Sequence, residues 1–144
     1  MKDVNYPLRK AYMLALANMV VDSVTVEVFY PAAPEEYTGK AYILLSQPSN
    51  VDNGTKNSSD TDTSMQLKII TWNEGSNAGK LADLIANEVF ARIYPIPQST
   101  LDLSADNINM VSTELTGDQT QDYGTVDNRF FIDRYITFKH FISH

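Results

Sequence analysis

Hydrophobic positions in this chain follow two periods, and the change of period divides it into elements. Leu8, Tyr12, Ala15, Leu16 and Met19 recur at three- and four-residue spacing, which predicts a helix over about Tyr6–Val20. Pro7 suits its first turn, and Asp22-Ser23 breaks the pattern. Val24, Val26 and Val28 then alternate with Thr25 and Glu27, so Val24–Tyr30 reads as a strand ended by Pro31 and Pro34. Lys40–Ser46 (KAYILLS) and Met65–Trp72 (MQLKIITW) read as a second and a third strand, antiparallel partners. Leu81, Leu84, Ile85, Val89 and Ile93 form the stripe of a second helix, with Ser76 or Asn77 as its cap and Pro95 and Pro97 as its stop. A fourth strand is expected at about Ile108–Leu115 and a fifth at about Phe130–Ile142. In the fifth, Phe130, Ile132, Ile136, Phe138 and Ile142 share one face with Arg134 and His140. The order is helix, three strands, helix, two strands. That order predicts an α+β fold, two helices packed on a mostly antiparallel sheet of about five strands.

Two polar stretches interrupt this pattern. Gln47–Ser64 contains one aliphatic residue, Val51, and is expected to be a long loop, poorly ordered in an isolated subunit and ordered by neighbours. Thr116–Asn128 holds Asp118, Asp122 and Asp127 with no basic residue and is expected to be a second, acidic loop.

Composition narrows the function classes. The 144 residues make one domain, 1–144, large enough for a sizeable core. The formal net charge of −7 opposes non-specific binding to nucleic acid or to an anionic membrane. With no cysteine, disulfides, thiolate nucleophiles and cysteine zinc sites are excluded. The N-terminus has basic residues before an apolar stretch, but Lys10, Tyr12 and Asn18 fit a signal peptide poorly, so an intracellular soluble chain is expected. The sequons at Asn53 and Asn57 then mark only a polar loop.

Candidate chemistry is sparse. His140 and His144 on one strand face stand about 13 Å apart, too far to chelate one metal. Asp60, Asp62 and Ser64 resemble the first ligands of a calcium loop, but Met65 replaces the glycine and Thr71 the final glutamate. Asp118, Asp122 and Asp127 have no apolar surroundings to raise a carboxyl pKa. No G-x-S-x-G or phosphate-cradling glycine motif occurs. No catalytic residue, cofactor or metal is therefore assigned, and the chain is not expected to be an enzyme. Trp72 and the aromatics of the last strand offer a stacking surface. Phe131, Tyr135 and Phe141 lie opposite the core face, which suggests that this side meets another chain.

These segments, in this order, resemble the tail terminator (tail completion, head–tail joining) proteins of bacteriophages and prophages over most of the chain. An N-terminal helix precedes a V-x-V-x-V strand. Pro34-Glu35-Glu36 leads into Ala41-Tyr42-Ile43-Leu44-Leu45, and a variable polar loop precedes Leu67-Lys68-Ile69-Ile70-Thr71-Trp72. The helix Leu81-Ala82-Asp83-Leu84-Ile85 follows, and the last strand carries Arg134-Tyr135-Ile136-Thr137-Phe138. The chain departs from the pattern in its proline-rich connection after the second helix and in its long Thr116–Asn128 stretch.

The resemblance implies a structural virion protein of the neck or tail, assembled in the host cytoplasm. It would form a homo-oligomeric ring, a hexamer, that caps the tail tube protein and meets the head connector or stopper protein. DNA would pass through without specific binding, and no membrane is involved. On this reading Asn50, Asp52, Asn53, Lys56, Asp60, Asp62, Phe131, Tyr135 and Phe141 belong to an assembly loop and interface. Asp118, Asp122 and Asp127 are lumen candidates, where carboxylates would repel phosphate. The alternative is a small non-enzymatic α+β binding module that uses the aromatic sheet face for a ligand or peptide. An enzyme relying on Asp and Ser residues is the third reading, and it needs a cleft with a raised carboxyl pKa.

Overall fold

The computed structural model describes residues 3–55, 59–74, 79–96 and 101–144. Helix α1 (Asn5–Ala15) buries Pro7, Leu8, Ala11 and Tyr12. It stops earlier than its apolar period predicts because Asn18 adopts a left-handed conformation at φ 56°. Met19 still reaches the core, but from strand β1 (Met19–Val21) rather than from a helix. Asp22 and Ser23, both at positive φ, form the two-residue turn of a hairpin that lays β1 on β2 (Val24–Phe29). Three residues are too few to show a period, so β1 was invisible as a pattern.

Strand β3 (Ala41–Leu45) runs parallel to β2, the one parallel pair among the described strands. A short strand β4 (Ser49–Asp52) follows, and then β5 (Asp60–Glu74). β3 and β4 pair antiparallel with successive parts of β5. Helix α2 (Lys80–Ile93) buries Leu81, Ala82, Ile85, Ala86, Val89 and Ile93, while Leu84 is only half-buried. Its expected caps, Ser76 and Asn77, lie outside the described residues. A single 3-10 turn (Ser104–Asp106) leads into β6 (Asn109–Val126). Asp127 and Asn128, again at positive φ, turn the chain into β7 (Arg129–Ser143). The sheet order is β1-β2-β3-β5-β7-β6, with β4 beside β5.

Two expectations need correction. Among the described residues the sheet has seven strands, not about five. The two polar stretches are largely strand, not loop. Within Gln47–Ser64, β4 pairs with the first residues of β5, from Ser49↔Ser64 to Asp52↔Thr61. Within Thr116–Asn128, β6 continues to Val126 and pairs along the whole of β7, with three register irregularities. The reason is the same in both. A central strand offers its backbone donors and acceptors to any neighbour, and a ladder needs no apolar side chain.

One core lies between the helices and one face of the sheet. Leu8, Tyr12 and Leu16 meet Ile85, Val89 and Ile93, and beneath them lie Ile43, Met65, Leu67, Ile69, Ile136 and Phe138. Arg92 joins the two helices. Its guanidinium donates to the carbonyls of Ala15 and Ala17 at the end of α1 and to Glu88 one turn back. No described helix is long and apolar enough to cross a membrane.

Candidate assembly surface

Alternation along the strands assigns each residue to one of two faces. Ala41, Ile43, Leu45, Met65, Leu67, Ile69, Ile136 and Phe138 belong to the helix-covered core. Their neighbours in sequence face the other way, and no described helix lies on them.

The pairing register arranges this second face in rows. One row runs Glu27, Tyr42, Ile70, Asp133 and Gln121, and the next Phe29, Leu44, Lys68, Tyr135 and Gln119. Trp72 stands beside Phe131. The aromatic and aliphatic members are half-buried, although no described helix covers them. Cations flatten onto the rings. Arg129 lies 4.3 Å and Lys40 5.5 Å from the Trp72 ring centre, and Lys68 lies 5.5 Å from that of Tyr135. Lys68 also pairs with Asp133 at 3.4 Å. Asp133 is only 6% exposed. Burial raises its pKa although Lys68 opposes the rise. Burial lowers the pKa of Lys68, but Asp133 and Tyr135 outweigh it and the net shift is upward. Tyr123 reaches over from β6 to bond the Tyr135 hydroxyl at 3.0 Å, and that bond raises its own pKa to about 12.

The expected interface residues divide between places. Phe131, Tyr135 and Phe141 stand on the uncovered face. Asp62, in register with Phe141, pairs with Lys139 at 3.5 Å. Asn50 bridges two elements, donating to Asn5 at the start of α1 and accepting from Thr63. Asp52 accepts the backbone N–H of Gly54, and the carbonyl of Asp60 accepts the N–H of Asn53. Lys56 lies outside the described residues.

The lumen candidates also separate. Asp118 is clamped by Arg134 through two bonds of 2.9 and 2.7 Å, and the same guanidinium reaches Asp83 on α2. The expected lack of a basic partner held only along the sequence, because Arg134 sits sixteen positions away across the β6–β7 pair. Asp122 accepts the N–H of Gly124, and Asp127 forms the hairpin turn. The β5–β7 ladder runs from Asp60↔Ser143 to Glu74↔Arg129. Strand rise therefore puts the Asp127 turn at the far end of the sheet from Asp60, roughly 45 Å away, while Asp118, in register with Ile136, lies about halfway along.

Beneath the sheet, His140 is fully buried between two hydroxyls. Tyr12 meets its Nε2 at 2.5 Å and Thr113 its Nδ1 at 2.7 Å. Burial raises the pKa of Tyr12 and lowers that of His140 to about 4, so both are neutral near pH 7. One hydrogen-bond order satisfies all the groups. Tyr12 donates to Nε2, Nδ1–H donates to Thr113, and Thr113 donates to the Met110 sulfur. This network pins α1 to β6 and β7. His144 meets Thr61 instead, at 2.9 Å. Among the described residues no group of three acidic or histidine side chains could hold a metal.

Sequence reasoning missed Phe29, Leu44 and Ile70 as members of the uncovered face. The signal was present, because period-2 alternation places Leu44 opposite Ile43 and Ile70 opposite Ile69.

No protein-family model matches the chain, and no curated protein matches it in sequence. Its fold, however, occurs in a solved particle. The similar chain belongs to the virion of a native gene transfer agent. The TM-score is 0.64, and the match covers 95% of each chain at 15% identity. At that identity the likeness is one of fold, and it extends to nearly the whole α+β domain.

Proposed function

We propose that this protein is a non-enzymatic structural component of a phage-like virion. Within the virion we place it in the neck or tail, as a tail-terminator-like subunit of a hexameric ring. The ring would cap the tail tube and join it to the head connector. The observation that carries this reading is the shared fold with a chain of the gene transfer agent virion over 95% of both chains. The uncovered sheet face supports it, since a contiguous aromatic surface on a soluble domain favours association with another chain. The net charge of −7 suits a conduit through which DNA moves without adhering.

Solution mass measurement paired with negative-stain imaging tests the proposal. Rings of about six copies with an open bore are expected. A monomer at all concentrations, alone and with tail tube subunits, would sink it. Changing Asp62, Asp122 and Asp127 to Lys should create salt-sensitive duplex DNA binding by counterion release, absent from the parent. Tight DNA binding by the parent near physiological salt, about 0.15 M, would overturn the conduit reading. The second reading, a binding module, is favoured by the same aromatic face and predicts a monomer that takes up a peptide there.

A further inference from the structure

Several surface aromatics of this chain are covered by cations. Arg9 lies 4.1 Å from the ring centre of Tyr30 and also covers Tyr6. Lys40 and Arg129 cover Trp72, and Lys68 covers Tyr135. Among the described residues no cation stands over Phe29, Tyr37 or Tyr42. These three rings instead pack edge to face around one point, with centres 5.0, 5.4 and 5.9 Å apart. Beside them the connection between β2 and β3 leaves a pocket of about 380 Å³, lined by Glu27, Phe29 and residues 34 and 36–39.

The pocket is held in shape. Tyr37 closes a turn through its N–H to the Pro34 carbonyl, and its hydroxyl donates to the Ala41 carbonyl at 2.8 Å. To do so the side chain folds back across Gly39, where any Cβ would overlap the Tyr37 hydroxyl. Burial, and then the charge of Glu27, raise the Tyr37 pKa, which places that carboxylate close to the ring. Glu27 and Glu36 are both exposed. Phe29, Tyr37 and two carboxylates line one cavity, with Tyr42 packed against both rings, and among the described residues no cation fills it.

We propose that this pocket receives an arginine side chain from another protein. A guanidinium is planar and weakly hydrated, so it stacks on a ring while its N–H fork reaches a carboxylate, which a lysine ammonium cannot do as well. A chain of net charge −7 presenting an acidic pocket selects a basic partner rather than its own copy. The identification of the occupant as a protein rests on the assembly reading above, whereas the cation chemistry stands on the pocket alone.

The test uses the full chain and a blocked Gly-Arg-Gly peptide, with Gly-citrulline-Gly as the uncharged control. Ring-proton NMR shifts of Phe29, Tyr37 and Tyr42 report occupancy. The arginine peptide should shift all three saturably, and the citrulline peptide should not. The double variant Glu27→Gln/Glu36→Gln should keep its fold, because both carboxylates are exposed, and bind about fivefold more weakly. Equal binding of the citrulline peptide, equal binding by the double variant, or no shift at any soluble concentration would each overturn the proposal. If the parent self-associates and the double variant does not, the occupant is a second copy and the foreign partner is excluded. Mass measurement keeps the two readings apart. Rings that ignore arginine refute the pocket and leave the assembly reading standing, and a monomer that binds arginine does the reverse.

Discussion

The two faces of the sheet are built by the same strands and obey different rules. On the covered face, β5 and β7 present Met65, Leu67, Ile69, Ile136 and Phe138, all fully buried, and among the polar residues buried with them His140 has a partner on each ring nitrogen. On the other face the same strands present Lys68, Ile70, Trp72, Phe131, Asp133 and Tyr135, half-buried aromatics laced with ion pairs and cations. Folding needs the first face dry and closely packed, because unpaired polar groups there are costly. The second face must stay soluble while the subunit is free. It does so by laying charged side chains over its rings. Stability thus resides on the covered face, and the other is the one we propose for association.

Substitution at matched positions should show the largest contrast. Phe138, packed against Phe90, Tyr94 and His140, should cost about 3–5 kcal/mol when changed to Ala. Phe131→Ala on the same strand should cost about 1 kcal/mol or less in the isolated chain while impairing assembly. Chemical denaturation and solution mass would measure the two effects. Equal destabilisation would erase the distinction between the faces.

Acidification should weaken the covered face next. The unfolded chain protonates His140 near pH 6.5, but burial holds the folded pKa to about 4. The contribution of this residue is complete above pH 6.5 and disappears as pH falls through about 4. The difference corresponds to roughly 3 kcal/mol. Denaturation midpoints between pH 7 and 4 test this, with His140→Gln expected to flatten the profile. An unchanged pH dependence in that variant would clear His140 of the role.

Removing one hydroxyl should have a smaller effect. Tyr12→Phe leaves Nε2 of His140 buried without its partner, at a cost of about 1–3 kcal/mol. Tyr123→Phe removes an exposed hydroxyl bond on the uncovered face and should change stability by less than about half a kcal/mol. Thermal unfolding of the pair would show whether the asymmetry holds.

The smallest effect is expected at the end of the sheet. Shortening 53–59 to a two-residue turn should leave stability within about half a kcal/mol. Replacing all of 47–64 should instead remove β4 and the start of β5, with a clear loss of stability. Equal stability of the two variants would mean that the β4 ladder contributes nothing.

Much of this molecule follows from side-chain period alone. The buried stripes of α1 and α2, the inward faces of β2, β3 and β5, and the placement of Phe131, Tyr135 and Phe141 opposite the core are all legible as spacing, because a helix or strand that buries one side must repeat its apolar residues at 3.6 or 2. The tertiary structure alone decided what spacing does not encode. β4 and the outer half of β6 are strands because a long neighbour offers them hydrogen bonds, and a solvated strand needs no apolar alternation. The parallel pairing of β2 with β3, the clamp of Arg134 on Asp118, and the bonding of His140 to Tyr12 and Thr113 join residues distant along the chain. So does the meeting of Phe29 with Tyr37 and Tyr42 beside Glu27. Local pattern reports which side of an element is buried, whereas the partner across a sheet depends on register, and register exists only once the strands have paired.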